Sequence, residues 1–566
     1  MNTPYCKKHG LVRLFAVMIL CLVLPLVRAA VGAEQGIHLA FTFDDKAAQE
    51  NLFSPNPSSQ IEWVTNFGRS NNTALKVTHI PGKSYIGAEN AVRLTFAEPL
   101  PAGGVYNISV WFYVPSADNK NKDTLTGPGV VLNGEYAQSR YKLPTNFGTM
   151  PVDQWKEVNV TTPLMEVPLR TIDFRFVVNE ERKHPDVWYL DDIVIRQVGE
   201  LQIFAVPKWD LSLPSLAKTY KDYFLIGNVM SANQTTAPEL TAMYKHHYNV
   251  MTAENDMKPL YLAPAKGKYN FVAADTLVNW ALENGIKVHG HTLVWHSQSP
   301  LWLTRNGTLT RAEARENLQE YITNVVGHFR GKVISWDVVN EAFADGAPVI
   351  SSWKDALRKD SPWYLAYENG ADKSKGESGA DYIYDAFVFA RLADPGATLY
   401  YNDYNETDPF KREAMALMAE DLNKKWKTDP RNTQPDRPLV EGLGMQAHYW
   451  LDTLNVADVE ATIVRFIKAG VRIGISELDI PAGSYTAQRT PPLTKEEELK
   501  QARLYAQLFV VFKKYAKYID RVTFWGKADS QSWRANGSPL LFDEKFAAKQ
   551  AYYAVIDPEG YLEKHR

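Results

Sequence analysis

The chain has 566 residues, with 62 Lys and Arg against 65 Asp and Glu, for a formal charge of −3. That length allows two or more domains with substantial cores, and the near-neutral balance gives no surface suited to nucleic acid or to an anionic membrane. Fifteen Trp and 29 Tyr are many, and large cores account for most of them.

Residues 1–33 read as a secretory signal peptide. Lys7, Lys8 and Arg13 precede an apolar run from Leu14 to Leu26, which is too short to span a bilayer. Val31-Gly32-Ala33 supplies small residues for cleavage. Both cysteines, Cys6 and Cys21, lie in this segment, so the mature chain is expected to have no disulfide and no cysteine nucleophile. Secretion, to the exterior or the periplasm, follows as the expected localisation. No membrane association is expected after cleavage, and the protein is expected to act as a monomer.

Residues 36–198 carry short alternating runs between turn residues. Tyr106–Val114 alternates, and so does Arg170–Val178, where Ile172, Phe174, Phe176 and Val178 share one face. Period two without helical stretches predicts an all-β sandwich. Residues 199–214 read as a linker.

From residue 215 to 560, buried-strand runs alternate with helical segments. The runs are Tyr223–Met230, Tyr248–Glu254, Lys287–Trp295, Ile334–Glu341, Thr398–Asn405, Leu439–Tyr449, Val471–Ile480 and Arg521–Trp525. Eight βα units in about 350 residues predict an α/β fold, a (β/α)8 TIM barrel. An open doubly wound sheet would ordinarily carry a glycine-rich nucleotide turn after an early strand, and none occurs.

A barrel of this kind builds its site at the C-terminal strand ends, and polar residues collect there on nearly every run. Glu341 and Glu477 end the fourth and seventh runs, across the mouth from each other. Glycosidic cleavage needs such a pair, one carboxyl to protonate the leaving oxygen and another to attack the anomeric carbon or activate water. Asp479 lies two residues after Glu477, on the same side of its strand. His448 and Gln446 share a side of the neighbouring strand, so His448 can bridge Glu477 and Asp479 and keep Glu477 ionised. Asn340 can reach a sugar 2-hydroxyl. An acid role requires Glu341 to keep its proton, which the negative charge of Glu477 favours. Zinc is the rival reading of His289, His291 and His296, but a third ligand would have to come from elsewhere. No catalytic metal or cofactor is assigned.

These segments resemble glycoside hydrolase family 10, the retaining endo-β-1,4-xylanases on a TIM barrel. Trp336-Asp-Val-Val-Asn-Glu-Ala-Phe343 is similar to the family's acid/base motif, and Ile475-Ser-Glu-Leu-Asp-Ile480 to its nucleophile motif. The resemblance implies Glu341 as acid/base, Glu477 as nucleophile, and xylan with its oligosaccharides as substrate. It implies Glu254, Asn255 and Lys258 for an outer sugar, and His291, Trp295, Asn340, Gln446 and His448 for the inner one. Trp525 and Trp533 form the implied aromatic wall. Residues 367–381, rich in Gly, Lys and Ser, depart from the pattern and read as a surface loop rather than a lid. The front domain resembles a jelly-roll carbohydrate-binding module of family 22, through Trp188-Tyr-Leu-Asp-Asp-Ile-Val-Ile195. Tyr85, Trp111 and Tyr113 are candidate sugar platforms, with core packing the alternative for each. The same likeness implies a structural calcium near Asp44, Asp45 and Asp192.

Overall fold

A computed structural model describes residues 38–565, apart from 57–58, 71, 81–88, 120–124, 134–148, 166–167, 178–184, 200, 202–207, 347–351 and 485–492. The signal segment and Tyr85 lie outside the described residues.

The first unit is a sandwich of two antiparallel sheets. One sheet has six strands. Five run in the order 155–161, 105–113, 187–198, 74–79 and 59–64, and strand 38–41 also pairs with 187–198. The other runs 53–55, 89–100, 169–177, 129–132. Strand Val105–Tyr113 alternates strictly between buried and half-buried positions, as its sequence predicts. Tyr106, Ile108, Val110 and Phe112 point into the core, where they meet Ile172, Phe174 and Phe176 from the facing sheet. Asp173, on the outer face of that facing sheet, is also buried and takes a two-pronged pair from Arg93 at 2.6 and 2.8 Å.

The second unit is a closed barrel of eight parallel strands. They are β1 (Leu225–Met230), β2 (Val250–Ala253), β3 (Lys287–Trp295), β4 (Ser335–Asn340), β5 (Thr398–Asp403), β6 (Gly442–Met445), β7 (Arg472–Leu478) and β8 (Ile519–Phe524). Leu225 opposite Arg521 closes the ring. Helices follow the strands, several opened by side-chain caps. Thr310 with Glu313 and Thr494 with Glu497 form capping boxes, and Asp408 caps a helix that begins with Pro409.

Three expected strands run past their observed ends for one reason. Glu341, Asn405 and Ala447 sit at φ of 56°, 52° and 59°, and a left-handed residue cannot extend a ladder. The extended runs stop at Asn340, Asp403 and Met445, one or two residues before these left-handed positions.

Residues 367–381 are held against the barrel. They comprise the end of helix Pro362–Glu368, a short turn Lys373–Lys375 and the start of helix Asp381–Ala393. Arg311, at the start of the helix between β3 and β4, bonds Tyr367 O at 2.9 Å, Ser378 O at 3.0 Å and Asp381 Oδ2 at 2.6 Å.

Candidate active site

Glu341 and Glu477 are both half-buried or buried at the mouth, each within a set of donors. Glu341 Oε1 accepts from Gln446 Nε2 at 2.9 Å and from Asn340 Nδ2 at 3.2 Å, and its Oε2 accepts from Trp295 Nε1 at 2.8 Å. Each carboxylate oxygen offers about two lone pairs, so Oε2, with one donor, is the oxygen left to carry a proton outward.

Glu477 takes one donor on each oxygen. Asn402 Nδ2 lies 2.9 Å from Oε1, and His448 Nε2 lies 3.0 Å from Oε2. The other nitrogen of His448 lies 3.0 Å from Asp479 Oδ2. Burial alone would lower the His448 pKa, but Asp479 and Glu477 outweigh it and push it up to about 9. His448 is therefore an imidazolium at neutral pH, donating to both carboxylates. Asp479 also accepts from Trp533 Nε1 at 3.1 Å and from Arg534 Nη1 at 2.6 Å.

Asn340 and Asn402 join the two glutamates. Asn402 Nδ2 also bonds Asn340 Oδ1 at 3.0 Å, and its own Oδ1 accepts from Ser476 Oγ at 2.7 Å. Asn402 is fully buried and was not assigned from the sequence. The phase of β5 holds the signal, because Asn402 is two residues from the inward-facing Tyr400.

Lys258 reaches the same mouth. Its Nζ donates to Asn255 Oδ1 and to Gln298 Oε1, each at 3.0 Å, and lies 5.1 Å from the Trp295 ring centre. Burial pulls its ammonium pKa down, against the pull of Glu254, Glu477 and Glu341. Gln298 is a second residue the sequence reading missed. His291 is buried, with Nδ1 2.9 Å from Asp337 Oδ2, and its ring meets Trp525 edge-on at 5.5 Å. Trp525 is buried, whereas Trp533 is 38% exposed and sits 5.0 Å from the His448 ring. Every site residue expected in the barrel thus lies at the C-terminal strand ends or in the loops that follow them.

Of the histidines weighed for zinc, His289 and His291 both face Asp337 Oδ2, at 3.0 and 2.9 Å. Of the sandwich candidates, Trp111 and Tyr113 are half-buried on the outer face of their sheet. Trp111 lies under the Arg69 guanidinium at 4.2 Å, and Tyr113 packs on Phe67 and Trp155. Of the aspartates expected at calcium, Asp45 caps a helix and Asp192 pairs with Arg69 at 2.9 Å. Asp44 accepts from Thr73 N at 3.0 Å, and the buried Asp191 accepts from Arg69 N at 2.7 Å.

A TIM barrel with two facing carboxylates, joined by amides and flanked by indoles, is a barrel of the glycosidase class. The comparisons identify which one. Residues 215–558 match Glycosyl hydrolase family 10, and the chain belongs to that family. It is 33% identical over 522 residues to endo-1,4-beta-xylanase A of Thermotoga maritima, covering 90% of this chain and 45% of that protein. The chain thus spans less than half the length of that relative. An intracellular xylanase of Thermoanaerobacterium saccharolyticum, solved with xylotriose, is 33% identical with a TM-score of 0.53, covering 62% of this chain and 100% of that one. A xylanase of the same family with a bacterial Ig-like domain, from termite gut, is 30% identical with a TM-score of 0.57. That match covers 80% of this chain and 96% of that one.

Proposed function

We propose that this chain is a retaining endo-β-1,4-xylanase, with Glu477 as nucleophile and Glu341 as acid/base. The observation that carries the reading is Glu477 clamped between Asn402 and the His448 imidazolium, which holds and aims its carboxyl group. Glu477 attacks the anomeric carbon while Glu341 gives its proton to the leaving oxygen, and a glycosyl ester forms on Glu477. Glu341, now a carboxylate, takes a proton from water, whose oxygen attacks the same carbon and frees Glu477 with overall retention.

The remaining side chains hold sugar. His291, Trp295, Asn340, Gln446 and His448 surround the ring that is cut, and Glu254, Asn255 and Lys258 hold the outer ring. Trp525 and Trp533 wall the pocket beside His291 and His448, and an aromatic wall crowding C5 favours a pentose, which lacks the hydroxymethyl group of a hexose. Product analysis on purified xylan, mannan and cellulose, with the product anomer followed by NMR, tests the reading. Xylo-oligosaccharides first released as the β-anomer are expected. Equal action on cellulose would move the substrate to β-glucan, and an α-anomer would remove Glu477 as nucleophile.

The sandwich is proposed as a xylan-binding module, supported by its jelly-roll-like pair of sheets and its separate core. A calcium there would need amide or backbone oxygens beside Asp44 and Asp191. Two observations support such a site. Asn72 Oδ1 is buried without a hydrogen bond, and burial pushes the Asp191 carboxyl up to about 6. A fall in melting temperature on chelation tests it. Secretion is proposed from residues 1–33, and N-terminal sequencing of the exported protein tests it.

A further inference from the structure

Below the mouth, a charged cluster crosses the barrel interior. Arg521 on β8, His289 on β3 and Asp337 on β4 are 2%, 1% and 1% exposed. Arg521 Nη2 lies 2.8 Å from His289 Nε2, and that same nitrogen lies 3.0 Å from Asp337 Oδ2. His289 Nδ1 lies 2.7 Å from Ser335 Oγ. Asp337 Oδ2 is also the partner of His291 Nδ1.

The barrel is shaped around this arginine. A Cβ on Gly474 of β7 would stand 2.8 Å from Arg521 Nη1, so the position opposite the guanidinium is kept bare. The guanidinium lies over the Tyr400 ring at 4.7 Å, and the Tyr400 hydroxyl in turn donates to Asp520.

One nitrogen cannot serve both neighbours. If His289 Nε2 carried a proton, it would donate to Asp337, but the Arg521 N–H would then point at another N–H 2.8 Å away, and a doubly protonated ring would add a second positive charge beside the guanidinium. If His289 Nε2 is bare, it accepts from Arg521, and the ring proton sits on Nδ1 and donates to Ser335. The second arrangement gives both ring nitrogens of His289 a partner of the right kind and leaves one buried cation beside one buried anion, with Arg521 Nε still unpartnered among the described residues. Asp337 Oδ2 then has a single donor, the N–H of His291.

We infer that Arg521 is a positioning residue for the inner sugar site: by donating to His289 Nε2 it fixes His289 as the neutral Nδ1–H tautomer, and so reserves Asp337 for His291. His291 is thereby held with its proton on Nδ1, and Nε2 is presented as an acceptor to a sugar hydroxyl. The inference rests on the reading of His291 as a sugar ligand. It goes beyond that reading by assigning its orientation to a side chain that touches no substrate. The groups facing His289 are Arg521, Asp337, Ser335, Tyr400 and His291. Burial first, and the Arg521 charge second, hold its pKa down at about 4.

The test begins with the intact wild-type enzyme. Ring-nitrogen NMR between pH 5 and 8 should show His289 neutral with its proton on Nδ1, and a doubly protonated ring would overturn the inference. Arg521→Met, which keeps the volume and removes the donor, should let His289 take a proton and compete with His291 for Asp337. Its kcat/KM on xylo-oligosaccharides should fall about 10- to 100-fold, as for a misplaced contact group, with a new ionisation between about pH 5 and 8. Arg521→Lys should recover part of that loss. A folded Arg521→Met enzyme with wild-type kcat/KM and pH profile would sink the proposal. His291→Ala separates the two readings. If it keeps full activity, the sugar-ligand reading fails even where the tautomer is as stated.

Discussion

The barrel and the sandwich handle their aromatic and charged residues in opposite ways. At the barrel mouth, side chains from β3 to β7 and from the loop after β8 aim at one point, and their polar atoms are partnered around an open space. In the sandwich, the outward aromatics close on one another. Phe67 reaches over from the loop after strand 59–64 and packs, tilted, on Tyr189 at 4.2 Å, while Arg69 lies on Trp111. A convergent polar ring is expensive unless it does chemistry, whereas an aromatic cluster under a loop stabilises by burial alone. Function is therefore written more plainly in the barrel.

The sharpest way to break this contrast is at the carboxylates. Glu477→Ala should reduce xylan hydrolysis by about 10⁴-fold or more while oligosaccharide binding survives, since attack is lost and recognition is not. Glu341→Gln should hit natural xylan far harder than an aryl glycoside whose leaving group needs no proton. Equal losses on both would contradict the acid role.

His448→Gln comes next, with an expected loss of about 100-fold in kcat. It also has a signature in stability. The His448 pKa is raised from 6.5 to about 9, so the stability it contributes is complete below about pH 6.5 and is lost as pH rises through 9. The integrated effect is on the order of 3 kcal/mol. Chemical denaturation from pH 6 to 10 should show that decline in the wild type and a flatter curve in His448→Gln.

Gly442→Ala tests the packing of the barrel below the mouth. Its Cβ would lie 2.1 Å from the Tyr400 ring, and overpacking of this kind costs about 1–3 kcal/mol. A lower melting temperature is expected, with a smaller fall in kcat/KM at 25 °C because the Tyr400 ring lies against Arg521. The smallest effect belongs to Trp111→Ala. It should cost about 1 kcal/mol of sandwich stability and leave retardation in xylan gels unchanged, because Arg69 covers the ring. Lost retardation with an intact fold would make Trp111 a platform after all. Removing residues 36–198 should spare short xylo-oligosaccharides and slow only insoluble xylan.

Much of this was legible in the sequence, for identifiable reasons. Buried strands alternating with helical stretches gave the barrel, and strict alternation over 105–113 gave the sandwich. The strand ends were not legible, because Glu341, Asn405 and Ala447 are ordinary residues in a left-handed conformation that only tertiary contacts impose. Glu341 and Glu477 could be read because each sits in a polar motif at the end of an apolar strand. Asn402 sat in a similar motif, but its partners Asn340, Glu477 and Ser476 are far along the chain. Gln298 and Arg534 come from loops with no periodicity to betray them. Residues 367–381 have a loop's composition, yet Arg311 from another helix and Asn369 bonding to Leu309 O tie them down.

Asp479 constrains how such a barrel can change over evolutionary time. One carboxylate receives His448 from beyond β6, and Trp533 and Arg534 from beyond β8. The loop after β8, which shapes the wall beside the substrate, therefore cannot be exchanged alone. A graft that dropped Trp533 and Arg534 would take two donors from a buried anion and loosen the imidazolium that holds Glu477. Transplanting specificity between relatives should succeed when residues 446–450, 477–479 and 525–540 travel together, and should cost turnover when they are split.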